Sequence, residues 1–303
     1  MQFRFSRSVL TDFDVDVVHV VEPQLDRLLG TKHAGALQTL LATLALIRNL
    51  RKHRIALVRT IPGIGQHPRQ RPRASVATRL LDRATSAFVI FDVSTHTPDA
   101  RRTTIIPHAH FRDRFLGYPR HEMVPGRVLC IAGDRLPAVA SGLIAIPQLT
   151  DTPGVTLRFC GEGDEGLKER IRAASARHSL ILSGRLENLS DGGRVQEIEA
   201  AEIVAVPEVR TLMDLQTVFM ALSLNRQVIT PATPMMTELA RQIGPAWLHL
   251  SGGPITAAAV DDAMGSSRRP GKPLAPDMAG RDLVTVRMAY QKLFARVAPR
   301  SRS

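Results

Sequence analysis

"SGRLENLSDGGRVQEIEAAEIVAVPE", residues 183–208, carries the pattern on which the fold turns. It opens at the end of one strand-like run and closes on another, "IVAVPE". Between them stand a glycine turn and a helix-like stretch around 194–202. Strand, turn, helix and strand in this order make a unit whose two strands lie parallel, with the helix returning over one face of the sheet. The alternation continues on both sides. Before it come "RVLCIAG" (127–133), a helix near 136–147, "VTLRFCG" (155–161), a helix from Asp164 and "SLILSGRL" (179–186). After it come a helix over 212–224, the strand "QVITP" (227–231) and a helix from Thr237. The expected class is α/β, a parallel sheet covered by helices on both faces.

The first part of the chain repeats the alternation. "VDVVHVV" (15–21), "IALVRTI" (55–61), "AFVIF" (87–91) and "TTIIP" (103–107) read as strands, and 34–53 and 75–85 as helices. "GYPRHEMVPG" (117–126) interrupts the pattern, which places a boundary near Glu122. Two Rossmann-like domains are expected, 1–122 and 123–303, facing each other across a ligand cleft at the carboxyl ends of their sheets. "RDLVTVRMAYQKLFARV" (281–297) is expected to close the second domain as a helix. "PGIGQHPRQRPR" (62–73) follows the carboxyl end of a strand and reads either as a binding loop or as a solvated basic loop.

A chain of 303 residues, 44% hydrophobic, has ample material for such cores. Its longest apolar run, "LQTLLATLALI" (37–47), is too short for a membrane span and reads as a buried amphipathic helix. The amino terminus has no apolar core of signal-peptide length, so the cytoplasm is expected. Cys130 and Cys160 sit in apolar strands and are expected to be small buried hydrophobes without a redox role. The formal charge is +12; residues 1–120 hold 19 Lys and Arg against 9 Asp and Glu, the rest 21 against 19. The basic first part would suit an anionic substrate, an anionic membrane surface or nucleic acid. With aromatics at only 4%, stacking platforms are scarce, and nucleic acid ranks last.

"TIIPHAHFRDRF" (104–115) sets His108 and His110 beside Arg112 and Asp113. The donors would suit zinc or iron, but without a CxxC or HExxH context no metal is expected. A phosphate-binding turn and an ordinary loop remain as readings. His110, Arg112 and Asp113 are expected to be structural, an Arg and an Asp within reach of each other on a turn.

Several of these stretches resemble two-domain GT-B-fold glycosyltransferases, especially actinobacterial enzymes that build polysaccharides and glycolipids. Residues 183–208 are similar to that family's strand, glycine turn, helix and entry to the donor site. "LQTVFMALSLNRQVITP" (215–231), "TELARQIGPAWLHLSGGPITAAAVDDAM" (237–264) and "IIPHAHFRDRF" (105–115) resemble further segments of the same group. The resemblance implies transfer of a hexosyl group from a nucleotide-diphosphate sugar to a saccharide or lipid-linked acceptor, without a metal or resident cofactor. It places Gly133 and Arg135 at the donor diphosphate, His108 at the cleft, and His67 as candidate base. Arg59, Arg69, Arg71 and Arg73 would draw the first domain to an anionic lipid surface, making the protein peripheral to the inner face of the membrane.

The chain also departs from that family's pattern. The second cation of the phosphate clamp falls on Ala138. The motif of two glutamates with seven residues between them falls on Thr211 or Leu212 and on Met220, with Glu208 and Asp214 as nearby substitutes; the Ser-Gly that admits phosphate to the helix end falls on Leu215 and Gln216. Pro62 and Gly63 replace a His-Asn pair, and only His67 matches in that loop. Against the family pattern the first domain is expected to lack the usual first strand and helix, through a misassigned start codon or decay. These losses keep a second expectation open: a catalytically inactive homologue acting as scaffold or regulator.

Overall fold

The computed structural model describes residues 15–22, 35–64, 75–131, 136–177, 181–271 and 273–299. The chain forms two compact units, one of Met1–His108 with Val284–Ser303 and one of Ala109–Leu283. Residues 109–122, expected in the first domain, group with the second unit, and the terminal helix groups with the first.

In the first unit, β1 (Val17–Val21), α1 (Ala36–Lys52), β2 (Ala56–Ile61), α2 (Val76–Ala84), β3 (Ala87–Ile90) and β4 (Thr103–Ile105) follow in order. The strands form one parallel sheet in the order β1-β2-β3-β4. Alternation along β1 decides what packs on each face. Val18 and Val20 join Leu46 and Leu50 of α1, Leu57 of β2 and Leu81 of α2 in one core. His19 points the other way. Its ring lies 5.2 Å from Tyr290 and 5.6 Å from Phe294, both on the terminal helix α9 (Leu283–Val297), and its Nε2 is 2.7 Å from Thr60 Oγ1. Arg296 donates to Thr104 Oγ1 at 2.9 Å. These contacts hold α9 on the first sheet.

In the second unit the elements are β5 (Arg127–Ile131), α3 (Leu136–Leu149), β6 (Thr156–Cys160), α4 (Glu165–Arg177), β7 (Leu182–Arg185), α5 (Asp191–Glu199), β8 (Ile203–Ala205), α6 (Leu212–Ser223), β9 (Gln227–Pro231), α7 (Pro234–Ile243), β10 (Leu248–Ser251) and α8 (Ala257–Ser267). All six strands are parallel, in the order β10-β9-β8-β5-β6-β7. Four of the helices begin on a hydroxyl cap: Ser190, Thr211, Thr233 and Thr256 each accept from the amide three residues on. The cap explains why α5 starts at Asp191, ahead of its two glycines, rather than at Arg194. Gly126, φ 78°, turns the chain into β5, where a Cβ would stand 2.2 Å from the Gly154 carbonyl oxygen. Three buried glutamates of "QEIEAAE" fasten the unit. Glu197 takes two hydrogen bonds from Arg158, Glu199 accepts from Arg120 and the His121 amide, and Glu202 from the Gly126 amide and Arg268.

Candidate functional site

A doubly wound sheet binds ligands outside the carboxyl ends of the two strands where strand order reverses, because the loops there diverge to opposite faces and leave a crevice. In the second unit the reversal lies between β5 and β8, neighbours in register at Val128↔Ile203 and Cys130↔Ala205. The segment after β8 that flanks it is 206–211; residues 132–135, which follow β5 in the chain, lie outside the described residues. Gly133 and Arg135 lie outside the described residues, as does His67, together with Arg69, Arg71 and Arg73.

The loop 206–211 is fully described. Val206 donates to Ile229 O and carries the chain past the sheet edge, and buried Val209 anchors the turn. Glu208 is half-buried, with its Oε2 3.1 Å from Arg210 Nε. Thr211 caps α6: its Oγ1 accepts from the Asp214 amide at 3.2 Å. Asp214 Oδ2 in turn accepts from the amides of Thr211 at 2.8 Å and Arg210 at 3.0 Å. This is a reciprocal capping box built on Thr-x-x-Asp. Its consequence is electrostatic. A helix amino terminus attracts anions through unpaired amides and the partial positive charge of the helix dipole; here the chain's own carboxylate engages two amides of that terminus. Thr211 and Asp214 thus stand at the switch point but bond to each other, and Glu208 faces a cation of its own loop. Leu215, in place of the expected small residue, is buried in the core side of α6.

In the first unit, β4 leads through buried Ile106 to His108, whose ring stands edge-on to Phe91 with centroids 5.4 Å apart. His110, Arg112 and Asp113 belong to the second unit. Arg112 donates to the Pro276 carbonyl at 3.1 Å, so its partner is not Asp113, and the His110 amide donates to Arg281 O. The segment pins the loop before α9 rather than gathering ligands. Among the described residues no group of three or more His, Cys, Asp or Glu could hold a metal ion. Arg59 corrects a further expectation. It is buried on β2, donating to Glu22, to Asp82 at 2.6 Å and to Thr85, so it is not available to a lipid surface.

Sequence reasoning passed over Arg194. It follows the glycines of α5, and its Nε is buried without a hydrogen-bond partner among the described residues. The Arg185 and Arg194 guanidiniums both act on Cys160 at the carboxyl end of β6. Burial and the Glu197 carboxylate, opposed only in part by Arg158, Arg194 and Arg185, push the Cys160 thiol up to about 12, which leaves it neutral and unreactive. The available signal was arginine directly after Gly184 and Gly193, each beside a strand end or helix start.

No family model matches the chain. Among curated proteins, the GDP-mannose:glycolipid 4-beta-D-mannosyltransferase of Xanthomonas campestris pv. campestris is 25% identical over 281 residues, covering 92% of this chain and 79% of the relative. Among solved structures, Anabaena HepE in complex with UDP and glucose matches with a TM-score of 0.56 at 14% identity, covering 96% of this chain and 78% of that one. A glycosyltransferase from Rickettsia africae matches with a TM-score of 0.58 at 13% identity, covering 97% and 80%. At such identities the structures show the fold alone. The chain therefore has the two-unit parallel α/β architecture of GT-B glycosyltransferases, and the curated relative it matches along most of its length is a sugar transferase.

Proposed function

We propose that this chain transfers a hexosyl group from a nucleotide-diphosphate sugar to a saccharide or glycolipid acceptor. The observation that supports it most is the match to a mannosyltransferase over 281 residues, running through both units. GDP-mannose is the first donor to test because that relative's name carries it, and UDP-glucose the second because HepE was crystallised with UDP and glucose. In this reading the donor lies at the β5/β8 switch point of the second unit, with its diphosphate near Gly133, Arg135 and the start of α6. The acceptor belongs to the basic first unit, where His67 is the candidate base and His108 a candidate for a sugar hydroxyl. Arg135 would offset the negative charge that builds on the leaving diphosphate, aided by backbone amides, with no resident metal or cofactor. The work is expected on the cytoplasmic side of a membrane. Relatedness to a named enzyme over most of both chains disfavours the inactive-scaffold reading.

The experiment is a donor panel of GDP-mannose, UDP-glucose and ADP-glucose, read by nucleotide release with and without a lipid-extract acceptor, beside melting shifts with each free nucleotide. One donor is expected to give acceptor-dependent release, and its nucleotide to raise the melting temperature in wild type and not in Arg135→Ala. Absence of both release and shift across the panel would sink the proposal and restore the scaffold.

A further inference from the structure

The apolar run on α1 was expected to be buried, and only part of it is. Thr43, Leu46, Ile47 and Leu50 face the sheet. Leu37, Leu41 and Leu44, spaced i, i+4 and i+7, share the opposite face and are 70%, 58% and 44% exposed. Arg48, Arg51 and Lys52 continue that face toward the carboxyl end of the helix, and all three are exposed. The neighbouring helix α2 repeats the arrangement: Val76, 62% exposed, precedes Arg79 and Arg83 on one face. None of these five cations forms an ion pair with a carboxylate among the described residues.

Three leucines in a row facing water cost solvation free energy and gain nothing unless something covers them. We propose that the exposed face of α1 and α2 docks this protein on an anionic lipid surface. Charge complementarity selects this occupant: the leucines are bordered along the same helix face by cations rather than by the mixed signs of a protein interface. The topology adds direction. α1 returns through 53–55 to the amino end of β2, and α2 through 85–86 to that of β3, so both helices start over the carboxyl edge of the sheet. The leucines and Val76 therefore lie toward the edge at which open α/β sheets receive ligands, and the cations toward the other. A bilayer held there would present a lipid-linked acceptor to the first unit; in this sense the inference rests on the glycolipid reading above. It also moves membrane attraction from Arg59 to Arg48, Arg51, Arg79 and Arg83.

The test is vesicle flotation of the full chain with phosphatidylcholine alone and with one quarter phosphatidylglycerol. Wild type is expected to float with the anionic vesicles only. Each cation near an anionic surface contributes about 1 kcal/mol, about fivefold in binding, so Arg48→Glu/Arg51→Glu should weaken it at least about 25-fold, and Arg79→Glu/Arg83→Glu similarly. Leu41→Gln/Leu44→Gln should weaken it about tenfold or more, through lost apolar contact. The leucines are exposed, so their variants should keep the wild-type melting temperature; the glutamate pairs place a carboxylate in the last helical turn at Arg51 and Arg83 and should lower it slightly, while nucleotide shifts stay at wild-type values in all of them. Wild type that fails to float, or leucine variants that bind as wild type does, would overturn the proposal. So would a wild-type dimer that the leucine variants turn into monomers, since the face would then be covered by a second copy. Flotation with neither donor release nor a nucleotide shift would leave the docking face standing and sink the proposed function; turnover without flotation would do the reverse.

Discussion

Replacing Asp214 should move stability and nucleotide binding in opposite directions. Asp214 Oδ2 accepts from the amides of Arg210 and Thr211, and its own amide donates to the Thr211 hydroxyl. Losing a side-chain cap costs about 1 kcal/mol, and a carboxylate in the first helical turn adds about 0.5 kcal/mol through the helix dipole. Asp214→Ala should therefore destabilise by about 1.5 kcal/mol, a fall of about 3–6 °C in melting temperature for a unit of this size. Asp214→Asn keeps an acceptor oxygen for the amides and should lose only the charge contribution. A nucleotide diphosphate approaching the same helix end meets the Asp214 charge. At about 5 Å and an effective dielectric between that of water and that of a protein surface, the repulsion is about 1–2 kcal/mol. Asp214→Asn should thus tighten binding of the cognate nucleotide about 5- to 30-fold while lowering the unliganded melting temperature slightly. Isothermal titration with the free nucleotide, beside thermal unfolding, measures both. Weaker binding in Asp214→Asn would falsify the idea that the carboxylate competes with the donor for the α6 terminus, and would make Asp214 a donor contact instead.

Two further outcomes follow from buried charge in the first unit. Arg59→Ala strands the partly buried carboxylates of Glu22 and Asp82 and should cost about 3 kcal/mol, seen as a lower urea midpoint at unchanged slope; a loss under 1 kcal/mol would mean the triad is solvated. Burial holds the His19 pKa below its ordinary value, against Tyr290 and Phe294, with Thr60 as polar partner. The folded state then binds fewer protons than the unfolded one, so stability rises with pH across the window between the lowered pKa and about 6.5. Stability should fall as wild type is acidified from pH 7.5 to 5.5, and His19→Gln should flatten that part of the profile; an unchanged slope would place the titration elsewhere.

The alternation of strands and helices was legible because apolar runs bounded by polar turns need no tertiary information. The order of the six strands was not. A singly wound and a doubly wound sheet share the same alternation, and only packing puts β8 beside β5. β10, "LHLS", alternates apolar and polar residues, but over four residues that is too short a run to mark a strand. The terminal helix could not be assigned to a unit from its own pattern, since its partners His19 and Thr104 lie far back in the chain. The capping box is legible in principle, as Thr211-x-x-Asp214 ahead of an apolar run, but the family resemblance sets the same residues against a two-glutamate donor-site motif instead.

Arginine shows most plainly where sequence reasoning stops. Arg59 and Arg48 add equally to the basic balance of the first 120 residues, and both stand among apolar neighbours. Arg59 falls on a strand buried along its whole length, so it folds only because Glu22 and Asp82, 37 and 23 residues away, meet it there. Arg48 falls on the solvent face of α1, in line with Leu44 and Leu41, where no described carboxylate meets it. The count of positive charge is fixed by composition, but whether a given charge holds a core or meets a partner depends on which carboxylates the topology brings within reach. Long-range pairing decides that, and it divides the basic first unit into an interior salt-bridge triad and an outward face whose cations remain for an anionic surface.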